Sequence, residues 1–326
     1  MHHSQQYIKQ MLGQFLGPVM TVLDDTDVEE VMINSPTQIW VERRSGIERM
    51  DTELTREAIF GAISVLGRRE GKDVAENSEN AILDTQLGDY RVAAALAPTA
   101  VHGHSMCIRR HSHQDVPLEQ FDVAPRDAAR DEHSFDPSNP HQWLAEVVSR
   151  KKTVLVSGGT STGKTTFMRG LIKRGIPSHE RLIFIEDVPE LRIEAPNEVC
   201  FRTNEQAGID TRTLVRLALR YRPDRVIIGE VRGTETFDLL QAINTGHEGS
   251  LASIHANSAF AALARLETLV LTAGTGWPLE AIRMQIATTI NYVVQMSRVG
   301  KRRVISEIIS LQGYDPATGY RYVPLV

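Results

Sequence analysis

The chain is poor in cysteine, in aromatic residues and in long apolar runs, and each shortage removes a class of protein. Only two cysteines occur, Cys107 and Cys200, far apart and in no CxxC pairing. That excludes a zinc ribbon and a disulfide framework, and leaves two bland thiols suited to a reducing compartment. No apolar stretch reaches the ~18 residues that cross a bilayer. The N-terminal MHHSQQYIKQ lacks the apolar core of a signal peptide. The expected location is therefore cytoplasmic, with any membrane contact peripheral or made through partners. Positive charge is not in excess either. A net charge of −5 and a pI of about 6.1 argue against a protein that mainly coats nucleic acid. Segments both basic and aromatic-rich are missing too, so no stable nucleic-acid binding is expected.

What is present is ample core material. A hydrophobic fraction of 41% over 326 residues supports a folded chain of about two domains. Residues 1–110 carry a small α+β pattern. Short strands are expected at Val28–Asn34, Gln38–Glu42, Gly46–Met50, Tyr90–Leu96 and Ser105–Arg109. A helix over Thr55–Arg69 starts at Thr55 as N-cap and aligns Ile59, Ala62, Ile63 and Leu66. Residues 111–142 then read as a linker, punctuated by Pro117, Pro125, Pro137 and Pro140, with a short helix around Arg126–Asp131. Its His111, His113, His133 and His141 lack the spacing and carboxylates of a metal site. From 143 to 326, apolar strands alternate with helical patterns, which predicts an α/β fold on a mainly parallel sheet. The strands are Thr153–Ser157, Arg181–Glu186, Val226–Gly229, Leu251–His255 and Tyr292–Met296; the helices are Lys164–Lys173, Thr211–Arg220, Glu235–Asn244 and Ala259–Val270.

The first of these strands runs into Gly158-Gly159-Thr160-Ser161-Thr162-Gly163-Lys164-Thr165, followed by Thr166. Every fixed position of G-x-x-x-x-G-K-[ST] is filled. Glycines let the backbone curl so that its N–H groups face phosphate oxygens, and the next helix adds its positive end. Lys164 supplies charge to the β- and γ-phosphates, and the Thr165 hydroxyl is the expected magnesium ligand. A chance match arises on the order of once in a hundred chains of this length, and the strand–loop–helix setting lowers that further. ATP with Mg2+ is therefore the expected ligand.

Acidic groups close two other strands: Glu186-Asp187 and Glu230. The carboxyl ends of a parallel sheet are where its ligand sits, so both can hold magnesium through water or polarise an attacking water. His255 ends a further strand, where a histidine can sense phosphate. His247, flanked by Gly246 and Gly249, is a weaker candidate.

Together, GGTSTGKTT, IEDVPEL, LRYRPDRVIIGEVRGTETFDLLQAINTGHEG and SLASIHANS resemble the secretion traffic ATPases, and most closely their type IV secretion and conjugative-transfer branch. The resemblance spans residues 20 to 312 and is densest from 153 to 260. It implies an N-terminal domain, a linker and a RecA-like ATPase domain, with ATP between the two domains. It implies a homo-hexamer working with other secretion ATPases and inner-membrane components, peripheral on that membrane. Glu186 would activate water, Glu230 would serve the magnesium site and His255 would read the γ-phosphate, with the division between the two glutamates left open. The segment GDYRVAAALAP…SMCIRR resembles the one that delivers arginines to the γ-phosphate, which points to Arg91 and Arg109, with Arg110 as alternative to Arg109. Two cysteines cannot build the tetracysteine module of many type II and pilus-assembly relatives. A pilus retraction or assembly ATPase and a nucleic-acid-stimulated RecA-like translocase remain the alternatives.

Overall fold

A computed structural model describes residues 2–110 and 135–326. Two sheets dominate it. The first has the order β3-β2-β1-β6-β5-β4 and is antiparallel throughout. Its strands are β1 (Val28–Ser35), β2 (Gln38–Arg43), β3 (Gly46–Arg49), β4 (Ile82–Leu87), β5 (Tyr90–Ala95) and β6 (Ser105–Arg110). Two helices, α1 (His2–Leu23) and α2 (Arg56–Arg69), pack on each other and close its core. On α2, Thr55 accepts the Ala58 N–H at 3.1 Å as N-cap, and Ile59, Ala62, Ile63 and Leu66 are fully buried. The sequence gives little sign of α1, because Gly13, Gly17 and Pro18 interrupt it. Leu16 leaves helical geometry there and the helix kinks, yet Leu12, Leu16, Val19 and Leu23 still bury one face. Gly61 on α2 is required by this packing: a Cβ there would stand 2.4 Å from the Phe15 ring.

The second sheet has the order β14-β13-β12-β7-β11-β10-β8-β9. These are β7 (Val154–Gly158), β8 (Leu182–Glu186), β9 (Glu198–Arg202), β10 (Arg225–Ile228), β11 (Leu251–Ile254), β12 (Tyr292–Val299), β13 (Arg302–Asp315) and β14 (Gly319–Pro324). From β12 to β9 every pairing is parallel, and only the β12–β13–β14 end is antiparallel. Side chains alternate between two cores. Leu155, Ile183, Ile185, Val226 and Ile228 enter one, while Val154, Val156, Leu182, Phe184 and Ile227 enter the other. A sheet buried on both faces needs such unbroken apolar strands. Helices α3 (Pro140–Ser149), α4 (Lys164–Gly175), α5 (Thr211–Ala218), α6 (Glu235–Asn244), α7 (Ala259–Thr272) and α8 (Leu279–Thr289) supply the cover. The expected linker lies mostly outside the described residues, as do its short helix and His111, His113 and His133. Its last residues open α3, where His141 is exposed.

The first of these two cores runs without a break into the N-terminal sheet. Polar groups fix the contact. Arg181, fully buried, donates to Asn34 Oδ1 at 2.6 Å and to the Tyr221 carbonyl at 2.8 Å, and also to Asn197. The Tyr221 hydroxyl meets the Ser105 hydroxyl and carbonyl at 3.1 Å each, and Arg222 pairs with Glu42. Residues 99–101 lie along β9: Val101 N–H donates to Cys200 O at 2.8 Å, and Arg202 N–H to Thr99 O at 2.9 Å. Within one chain, then, the N-terminal sheet is docked against the parallel one.

Candidate nucleotide site

The loop after β7 turns on residues that tolerate unusual backbone. Gly163 is left-handed at φ +93° and caps α4, and a Cβ there would stand 2.7 Å from the Arg303 side chain. The Lys164 ammonium donates to the carbonyls of Gly158 at 3.0 Å and Gly159 at 3.1 Å. It is nearly buried, and desolvation holds its pKa below the ordinary lysine value despite the nearby Glu230 charge. An added phosphate would replace those carbonyls with a stronger partner.

The loop opens onto a cavity of about 500 Å3 at the carboxyl ends of β8, β10 and β11. Thr160, Ser161, Gly163, Lys164, Thr165 and Thr166 from the loop line it, together with Glu186, Glu230 and His255. Gly158, Gly159 and Thr162 belong to the same turn but form its back wall: Thr162 bonds the Gly159 carbonyl at 2.9 Å, and a Cβ on Gly158 would strike Thr162 and Met296.

The two glutamates are held differently. Glu186 is buried, and its Oε1 accepts the N–H groups of Glu190 at 3.1 Å and Leu191 at 3.0 Å. Burial raises its pKa, the two backbone bonds opposing. No ion pair engages it among the described residues. Gly229 on the neighbouring strand makes room, since a Cβ there would approach Glu186 Cγ to 3.0 Å. Glu230 instead sits among cations. Arg232 grips it with two bonds, 2.7 and 3.0 Å, and His255 Nε2 lies 3.2 Å from Oε2. Desolvation works against its charge, but the Arg232 bond and the His255, Arg232 and Lys164 charges prevail and lower its pKa. The Lys164 ammonium lies 3.4 Å from His255 Nε2, so Lys164, His255, Glu230 and Arg232 form a connected chain, extended by Arg232 to Asp187 at 3.1 Å.

Thr165 directs its hydroxyl to Glu190 Oε2 at 3.3 Å rather than to Glu230. Hydroxyl and carboxylate oxygens are the hard donors that suit magnesium, so the residues present fit that ion. Glu190, Arg232 and Arg303 line the cavity without having been singled out from sequence. Arg232 and Glu190 lie two and four residues beyond the acidic strand ends, a spacing that could have drawn attention to them. Arg303 comes from the β12–β13 hairpin and had no such signal. It also borders a second cavity of about 480 Å3 with His141, Phe167, Ile305 and Val326, adjoining the loop at Gly163 and Thr166.

The arginines expected from the N-terminal sheet do not reach this cavity. Arg91 and Arg109 face each other across β5 and β6, and Arg91 is bound to Asp84 at 2.9 and 3.1 Å. Arg110 donates to the Asp25 carbonyl at 2.8 Å and lies 5.7 Å over the Tyr90 ring. His247 bonds the Ala242 carbonyl at 3.0 Å and does not line the cavity either.

Comparison with known proteins agrees with this geometry. The family model described as "Type II/IV secretion system protein" matches residues 14–301. Conjugal transfer protein TrbB of Rhizobium radiobacter is 30% identical, over 93% of this chain and 90% of its own. The type IV secretion system protein VirB11 of Bartonella quintana is also 30% identical, over 92% of each. Among solved structures, the VirB11 ATPase from the Brucella suis type IV secretion system, in complex with sulphate, superposes with a TM-score of 0.82. It is 28% identical and covers 94% of this chain and 96% of its own.

Proposed function

The chain belongs to the type II/IV secretion system protein family, and from that premise we propose the working cycle of its nucleotide site. The protein is an ATP-hydrolysing enzyme, a traffic ATPase of a type IV secretion or conjugation apparatus, like the VirB11 and TrbB proteins it resembles. The observation that carries the reading is convergence: loop, Glu186, Glu230 and His255 all open on one cavity. Triphosphate sits on the loop, with Lys164 turned from its own carbonyls to the β- and γ-phosphates. The adjoining cavity with Phe167 and Ile305 receives the nucleoside. Thr165 and Glu230 would hold Mg2+, which would supply positive charge to the phosphates.

Glu186 is the better base and Glu230 the better electrostatic partner. Among the described residues Glu186 pairs with no cation and its Oε2 accepts no hydrogen bond, so it can orient and deprotonate water. Glu230 is paired with Arg232 and lies beside His255, which ties its state to the γ-phosphate through His255 and Lys164. Arg91 and Arg109 are delivered as the first sheet moves, a step that requires Arg91 to leave Asp84.

The chain divides into residues 1–110, 111–142 and 143–326 and works as a homo-hexamer, peripheral on the inner membrane through partners. No helix among the described residues is long and apolar enough to cross a membrane. Lys164→Ala tests the site: ATP hydrolysis falls by about 10²-fold or more with the circular dichroism spectrum intact. Undiminished turnover would end the assignment. A six-fold ring by native mass spectrometry supports the assembly, and a strict monomer with and without ATP refutes it.

A further inference from the structure

The edge of the parallel sheet farthest from β14 carries a second cluster of chemically reactive side chains. Strand β9 is that edge, and residues 99–101 are hydrogen-bonded along it. Glu198 and Cys200 are two apart on the strand and so share a face. The 99–101 contact carries His102 to the same place. One ligand atom from each of His102, Glu198 and Cys200 lies within 4.8 Å of the others.

Glu198 is 7% exposed. Its Oε2 accepts the Ala195 N–H at 3.0 Å, and no cationic side chain pairs with it among the described residues. Burying a carboxylate without counter-charge is costly. The other two donors are an imidazole and a thiol, and this N, S and O set is the borderline-soft mixture that zinc takes. Magnesium, which takes oxygen ligands, is disfavoured here. A tetrahedral zinc site with bonds of ~2.0–2.3 Å has ligand atoms about 3.5 Å apart. His102 is exposed on a turn and can close the remaining distance by side-chain rotation. Its exposure also leaves the fourth position to water.

We propose that His102, Glu198 and Cys200 bind one zinc-class divalent ion, which clips the segment around residue 100 of the N-terminal sheet to the edge of the ATPase sheet. The site is separate from the nucleotide cavity, none of whose lining residues it shares. Cys200 gives up its proton as the metal–thiolate bond forms, so uptake releases acid and weakens as pH falls.

The test uses the full chain, stripped with chelator and titrated with cobalt(II), then competed with zinc. The expected result is one equivalent of cobalt with thiolate-to-metal charge-transfer absorption, bleached by one equivalent of zinc. Cys200→Ser abolishes the band, His102→Ala weakens binding by more than about tenfold, and Cys107→Ser leaves both unchanged. Histidines elsewhere in the chain would bind without a thiolate band, so the spectrum separates them from this site. Should Cys200→Ser fail to fold, His102→Ala on its exposed turn decides alone. A parent without the band, or a band indifferent to His102→Ala, overturns the proposal and leaves Glu198 neutralised by a proton.

Discussion

At the mouth of the nucleotide cavity, the Arg232 side chain is 63% exposed and shares Glu230 with His255. Between the two sheets, Arg181 is fully buried and bonded to Asn34, Asn197 and the Tyr221 carbonyl. Both arginines hold their surroundings together, but in different currencies of solvent. Exposed pairs contribute little and exchange partners easily, which suits a site that must admit and release phosphate. A buried guanidinium loses its hydration whether or not the protein is working, so its partners must stay in place. The cavity is therefore where charge can be rearranged, and the sheet–sheet contact is where it is fixed.

Five substitutions test that contrast. Glu186→Gln should have the largest effect, lowering kcat by about 10²–10⁴-fold with little change in KM for ATP. Equal loss in Glu230→Gln, with no added magnesium requirement, would reverse the roles assigned to the two glutamates. Arg181→Ala strands the buried acceptors of Asn34, Asn197 and Tyr221 and should cost about 1–3 kcal/mol of stability in urea unfolding, and a loss below about 0.5 kcal/mol would show that the buried contact is not an anchor. Arg303→Ala, which clears the side chain lying over Gly163, should raise KM for ATP about tenfold, or 1.4 kcal/mol, with an unchanged melting temperature. Arg91→Ala removes a pair that is about one-third exposed, so stability should shift by no more than about 1 kcal/mol. Hydrolysis should still fall in that variant if Arg91 is delivered to the phosphate; unchanged turnover would leave it as a surface pair.

The raised pKa of Glu186 adds a pH signature. Its burial favours the protonated form, so as pH falls the base is lost earlier than an ordinary carboxylate of ~4.3 would be. The acid limb of kcat should accordingly lie above that value, and measuring the ATPase pH profile checks it. For stability the sign is opposite. The folded state binds this proton more tightly than the unfolded one, so its contribution is present at low pH and is lost as pH rises through the raised pKa. Glu186→Gln should therefore be at least as stable as the parent near neutrality, with the difference vanishing in acid.

Much of the second sheet was legible because its signals are local. The strands before Glu186, Glu230 and His255 are short, mostly apolar runs, and the loop from Gly158 to Thr165 announces its own chemistry. The N-terminal sheet is less legible. Helix α1 is interrupted by Gly13, Gly17 and Pro18, and it is tertiary burial of Leu12, Leu16 and Val19 that holds it. The insertion of β6 between β1 and β5 is a non-local pairing that no spacing reports. Arg303 was invisible for the same reason: it meets Gly163 only because β12 lies beside β7. Arg91 and Arg109 were found through family resemblance alone, and the static geometry leaves them outside the cavity.

The short contact of residues 99–101 with β9 has a mechanical consequence. It ties the two halves by main-chain bonds at Thr99 and Val101, one strand away from β8 and its terminal Glu186. Bonds along a strand edge resist sliding more than they resist rotation about that edge. A pull or push generated at the phosphates would thus pass along this strand edge into the N-terminal sheet beside the catalytic strand, with the buried Arg181 contact kept intact.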